Sequence, residues 1–227
     1  VREATRRIEP ELIRIRHELH QYPELGVDLP KTHEIISREL KKIPGLRIYE
    51  HKAGGSRIIA LMRGEKKEGK TILLRADIDA LPIEEKEECE YKSRNTGCMH
   101  ACGHDGHAAW LIGAAKILSE IRAEWGGCIK FVFQPGEEVG KGADTLIEED
   151  RVLENPPVDM AFAAHGWPSI QSGKIGIARR YAFGSVGSFR VKITGRDGHA
   201  SWPEQTIDPI AAAGEVYQHI PAILARK

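Results

Sequence analysis

Three short apolar runs, Thr71–Ala76, Cys128–Phe133 and Asp159–Ala164, each give way within a few positions to residues that can ionise. Asp77 and Asp79 follow the first, Glu137 and Glu138 the second, and His165 the third. Between the runs lie stretches with helical periodicity, Ala108–Ile121 and a weaker Ala143–Glu149. Strands alternating with helices predict an α/β domain with a largely parallel sheet flanked by helices. In such a sheet the carboxyl ends of the strands share one edge, and ligand crevices open there. Three segments far apart in sequence therefore deliver acids and an imidazole to a single rim.

The segment Met99-His100-Ala101-Cys102-Gly103-His104-Asp105-Gly106-His107 adds a thiol and three imidazoles beside two flexible glycines. Cys102 and His104 stand two apart, a spacing that lets both side chains close on one cation. The helix expected from Ala108 puts the cluster at a helix N-terminus, where backbone N–H groups favour a thiolate. Taken alone, the segment reads equally as a structural zinc knot built on Cys98 and Cys102, or as surface histidines around a turn. A knot takes its ligands locally and has no use for distant rim residues, so the rim moves the balance toward a catalytic metal site.

Pro10–Tyr22 carries Leu12, Ile15 and Leu19 at helical spacing, and Pro23 ends it. His17 and His20 fall three apart there, so they do not form the i, i+4 pair of an HExxH site. His17 reads as a solvated helix face and His20 as a satisfied structural histidine. Thr32–Ile43 predicts a second helix, and Leu46–Tyr49 and Arg57–Met62 two further strands. Asp77–Ala101 is long for a connection, which marks it as functional. Beyond Gly173, Ile175–Ala178 and Ser188–Thr194 read as strands and Pro209–Leu224 as an amphipathic helix, the start of a smaller α+β domain.

Lys+Arg and Asp+Glu balance at 33 each, which argues against a nucleic-acid footprint. No apolar stretch approaches the roughly 18 residues needed to span a bilayer, and Val1–Pro10 is not signal-like, so a soluble, cytoplasmic protein without a membrane partner is expected. The four cysteines suit reduced thiols with one used for metal better than a disulfide framework.

In combination these motifs resemble the amidohydrolase and carboxypeptidase branch of the M20 metallopeptidases, which includes N-acyl-amino-acid, hippurate and auxin-conjugate hydrolases. The resemblance is carried by Arg16-His17-Glu18-Leu19-His20 with Pro23-Glu24, Leu74–Pro82, Met99–His107, Phe133-Gln134-Pro135-Gly136-Glu137-Glu138, His165 with Trp167-Pro168, and Gly198-His199-Ala200-Ser201. It implies a di-metal exopeptidase-like catalytic domain over residues 1–180 and the beginning of a lid or dimerisation domain over 181–227. By the same resemblance Cys102, His104, Glu138 and His165 are ligands of two divalent ions, zinc first, with manganese, cobalt or nickel as alternatives. Glu137 is the general acid/base, Asp79 supports it, Asp77 acts similarly, and His199 contacts the substrate. His100 and His107 are left as local hydrogen-bonding residues.

The implied substrate is a small N-acyl amino acid or peptide, and the implied assembly a homodimer through the second domain. The family also supplies a further histidine ligand late in its chain, on a return to the first domain that these 227 residues do not contain. That departure keeps open a second reading, a catalytically silent metal-binding or interaction domain derived from such an enzyme. A second departure is Arg179-Arg180-Tyr181, where relatives carry a glycine-containing turn.

Overall fold

In the computed structural model, which describes residues 1–49, 55–180, 182–184 and 187–225, the chain divides into two compact units, 1–171 and 172–227. Sequence reasoning placed that transition at 180/181, and of the Arg179-Arg180-Tyr181 departure Tyr181 lies outside the described residues.

The first unit holds helices α1 (Arg2–Gln21), α2 (Pro30–Leu40), α3 (His104–Glu120) and α4 (Gly142–Glu148), with strands β1 (Leu46–Tyr49), β2 (Ile58–Arg63), β3 (Lys66–Asp77), β4 (Gly126–Gln134) and β5 (Met160–Ala163). α1 begins well before Pro10, because Ile8, Ile15 and Leu19 form one buried stripe and the proline removes only a single intrahelical bond. α3 begins at His104 rather than Ala108, so His104 and His107 occupy the first helical turn while His100 lies before it. Gly103 caps that turn at φ +84°, a left-handed conformation in which a side chain would be strained.

The sheet has five strands in the order β1-β2-β4-β3-β5. It is α/β as expected, but mixed: β1–β2 and β2–β4 pair antiparallel, while β4–β3 and β3–β5 pair parallel. The parallel half is the part that matters for the rim, because Asp77 lies opposite Gln134 and Arg75 opposite Ala163. Asp77–Asp79, Glu137–Glu138 and His165 consequently leave the sheet along the same edge.

β4 is buried from Cys128 to Gln134, and apolar there except for Lys130 and Gln134, because it is central and covered on both faces. Ile129, Phe131 and Phe133 join Ile58, Ala60, Met62, Ile15, Ile35 and Ile112 in the main core under the helices. Val132 joins Ile59, Leu73, Leu146 and Val152 on the opposite face. Lys130 is tolerated in that strand because its ammonium donates to the carbonyls of Val152, at 2.7 Å, and Glu154. Among the described residues no helix is long and apolar enough to cross a membrane.

In the second unit α5 (Pro209–Leu224) forms as expected, its N-terminus capped by Asp208, whose carboxylate accepts from Ile210 N at 2.8 Å and Ala211 N at 3.3 Å. The strands expected at Ile175–Ala178 and Ser188–Thr194 do not form; the β pairing described there is an isolated bridge between Arg196 and Ile207. An alternating pattern yields a strand only where a neighbour accepts its ladder, and none lies beside these segments among the described residues.

Candidate metal centre

The rim brings Cys102, His104 and Glu138 together, with one ligand atom of each lying within 4.8 Å of the others. His165, beyond β5, turns its Nε2 to within 3.5 Å of Cys102 Sγ. The four residues expected as ligands thus converge from the loop before α3, the α3 N-terminus, the turn after β4 and the segment after β5.

His104 is fully buried, and its Nδ1 donates to the Asp79 carbonyl at 2.9 Å. That bond leaves Nε2 as the outward atom, 3.8 Å from Glu138 Oε1 and 3.7 Å from Asp77 Oδ2. His104 Nε2 and Glu138 Oε1 are both buried with no hydrogen-bond partner. Leaving two such atoms unsatisfied costs about 1–3 kcal/mol each, and a cation between an imidazole lone pair and a carboxylate would satisfy both.

Charge makes the same demand. Burial and the carboxylates of Glu138, Asp77 and Glu137 push the Cys102 thiol up to about 12, so a thiolate there requires a positive charge beside it. Burial alone would pull the His104 ring down, but its bond to Asp79 and the surrounding acids carry it above its ordinary value. Soft sulfur and imidazole with a carboxylate make a donor set that fits a divalent ion.

Asp79 is buried, and its two carboxylate oxygens accept from the backbone N–H groups of Glu137, at 3.1 Å, and Glu138, at 3.0 Å. It therefore sets both glutamates through the main chain. The turn reverses at Gly136, φ +69°, where an added Cβ would meet Val27 at 2.6 Å. Glu138 is turned partly inward to the cluster, whereas Glu137 stays exposed.

Cys98 takes no part in this cluster: it is buried and donates to the Pro23 carbonyl at 3.3 Å. His20 is a satisfied structural histidine, held between Asp105 and Glu85, at 2.8 and 3.0 Å. His17 is half-buried and stacks on Tyr91 with ring centroids 3.8 Å apart. His100 departs from its expected hydrogen-bonding role: both ring nitrogens are buried without a partner, and burial pushes it down to about 4. His199 belongs to the second unit, where it is exposed and its Nδ1 accepts from Ser201 N at 3.2 Å.

His107, expected to hydrogen-bond locally, does hydrogen-bond, but to Asp77 Oδ1 at 2.6 Å and Gly166 N at 2.8 Å, both distant in sequence. Three residues after His104 on the same helical face, His107 is buried at the heart of the rim, and that spacing was the available signal of its placement.

The family model described as peptidase family M20/M25/M40 matches residues 73–222, from β3 through α5. The chain belongs to that family. It is 40% identical over 217 residues to an N-acetylcysteine deacetylase of Bacillus subtilis, covering 95% of this chain and 55% of that protein. It is 38% identical to thermostable carboxypeptidase 1 of Saccharolobus solfataricus, covering 98% of this chain and 56% of that one. Among solved structures, the Bacillus subtilis YXEP protein, described as a dinuclear metal binding peptidase of the M20 family, superposes with a TM-score of 0.71 at 38% identity, covering 76% of this chain and 47% of that one. The chain spans about half the length of the curated relatives it matches.

Proposed function

We propose that this M20/M25/M40 chain carries the catalytic centre of a metal-dependent amidohydrolase or carboxypeptidase that cleaves the amide bond of N-acyl amino acids or short peptides. The observation that carries the reading is the convergence of Cys102 with two orphaned buried atoms, His104 Nε2 and Glu138 Oε1. Relatives named as a deacetylase and a carboxypeptidase, at 40% and 38% identity, support the amide class.

Cys102, His104, Glu138 and His165 would hold two divalent ions, zinc first because of the thiol and imidazoles, with manganese, cobalt or nickel as alternatives. When bound, such ions supply the Lewis acidity that acidifies water and polarises an acyl carbonyl. The chain's own residues do the rest. Asp79 holds adjacent amides of one turn, so that Glu138 faces the cluster and Glu137 faces solvent, where a water molecule can reach it. Glu137 takes the proton from the attacking water and returns it to the leaving amine nitrogen, a role open only to a carboxylate that is not itself a ligand. His199 contacts the substrate, and the second unit forms the homodimer interface.

The test is Glu137→Gln, assayed on N-acetyl amino acids, N-benzoyl amino acids and dipeptides. Hydrolysis should fall by roughly 10²–10⁴-fold, with the number of ions bound per chain unchanged. Unchanged turnover refutes the assignment, and a parent that binds ions but hydrolyses none of the panel favours the silent metal-binding domain.

A further inference from the structure

We propose that His107 is a positioning residue and not a metal ligand: a neutral imidazole strut that sets the orientation of His165 through the Gly166 peptide. The proposal rests on the reading of His165 as a ligand. By proximity alone His107 would join the metal, because single ligand atoms of Asp77, His104, His107 and His165 all lie within 4.8 Å of one another. The hydrogen bonds separate these residues.

Gly166 N–H donates to His107 Nε2 at 2.8 Å. A ring nitrogen that accepts carries its one lone pair and no proton, so that lone pair is already engaged. The proton must then sit on Nδ1, which donates to Asp77 Oδ1 at 2.6 Å. Asp77 is held in turn: its Oδ2 accepts from Arg75 Nη1 at 2.7 Å, and Arg75 Nε donates to Gln134 Oε1 at 3.0 Å. Both sides of the ring are thus specified, and the tautomer follows from the partners.

The contrast with His104, one helical turn earlier, is direct, since its Nε2 has no hydrogen-bond partner. Gly166 is gripped at both ends, for its carbonyl accepts from His165 Nδ1 at 2.7 Å while its N–H is held by His107. That grip leaves Nε2 of His165 as the atom facing Cys102. Any shift of the Gly166 peptide therefore re-aims the His165 ring. His107 and Asp77 are each 2% exposed, so no solvent replaces a lost partner.

Two substitutions divide the ring's two roles. His107→Gln keeps an acceptor near the Nε2 position for Gly166 N–H, and His107→Asn keeps a donor near Nδ1 for Asp77 but leaves Gly166 N–H bare. Both variants and the parent chain are titrated with Co²⁺, reading ions bound per chain, affinity and the visible absorption band. The expected result is parental stoichiometry in both variants. Affinity should weaken by roughly 10–100-fold with a shifted band in His107→Asn, the range of losses seen when a ligand's outer partner is removed, and by less than about threefold in His107→Gln.

Loss of one ion per chain in either variant makes His107 a ligand and overturns the proposal; equal behaviour of the two variants also overturns it. If His107→Asn does not fold, His107→Gln decides alone: full stoichiometry within about threefold of parental affinity upholds the strut, and any other result overturns it. A parent that binds no Co²⁺ overturns the metal-centre reading and this one together, whereas ions lost only from the variants overturn this one alone.

Discussion

Replacing His20 by leucine tests how the long connection after β3 is held to the helices. The ring lies buried between two carboxylates, 2.8 Å from Asp105 Oδ2 through Nδ1 and 3.0 Å from Glu85 Oε1 through Nε2. Ionised carboxylates only accept, so the ring must donate from both nitrogens and is an imidazolium. Two hydrogen bonds between charged groups contribute about 1.5–3 kcal/mol each, and removing one partner of a buried ion pair costs about 3–5 kcal/mol. Arg16 Nε remains on Asp105 at 3.0 Å and Ser93 N remains on Glu85 at 2.6 Å, which places the expected loss near the low end, about 3 kcal/mol. At roughly 2–4 °C per kcal/mol for a unit of this size, the melting temperature should drop by about 6–12 °C.

The assay is near-UV circular dichroism of EDTA-treated protein across pH 5.5–9. Burial opposes protonation of His20, but its bonds to Asp105 and Glu85 outweigh it and raise the folded pKa above 6.5. The stabilisation is therefore fully present below pH 6.5 and is lost as pH rises through the raised value. The groups facing the ring are Asp105, Glu85 and the rings of Tyr91 and His100, with Arg16 and His17 on its own helix. Both carboxylates have lowered pKa values, because hydrogen bonds outweigh their burial, so they stay ionised throughout that range. The parent should lose its advantage over His20→Leu as pH climbs. A melting difference below about 2 °C, or one that grows with pH, refutes the imidazolium bridge.

Two other substitutions follow from the site. Asp79→Ala removes the acceptor for both Glu137 N and Glu138 N and should lower kcat and weaken metal binding by roughly 10–100-fold each, while Asp79→Asn, which keeps one acceptor, should lie between; equal ion affinity in all three proteins would remove the anchoring role. Cys98→Ser should leave ion stoichiometry untouched because its thiol serves the Pro23 carbonyl, whereas Cys102→Ser should weaken Co²⁺ binding and abolish the thiolate charge-transfer band; metal lost on changing Cys98 would revive the zinc-knot reading.

Local pattern and chemistry were enough to place apolar runs beside acids and an imidazole and to single out the Cys102/His104 pair, because period and residue type are properties of adjacent positions, whereas the choice of Glu138 over Glu137 as a ligand came from the family resemblance. They could not show that β1 and β2 run antiparallel to their neighbours, since strand direction depends on long-range pairing. Nor could they show that Ile175–Ala178 and Ser188–Thr194 stay out of a ladder. His104 and His107 are the same residue type on one helical face. What separates an imidazole with an unengaged nitrogen from one fully bonded is a single amide N–H arriving from Gly166, 59 positions further along, and only the folded chain brings it there.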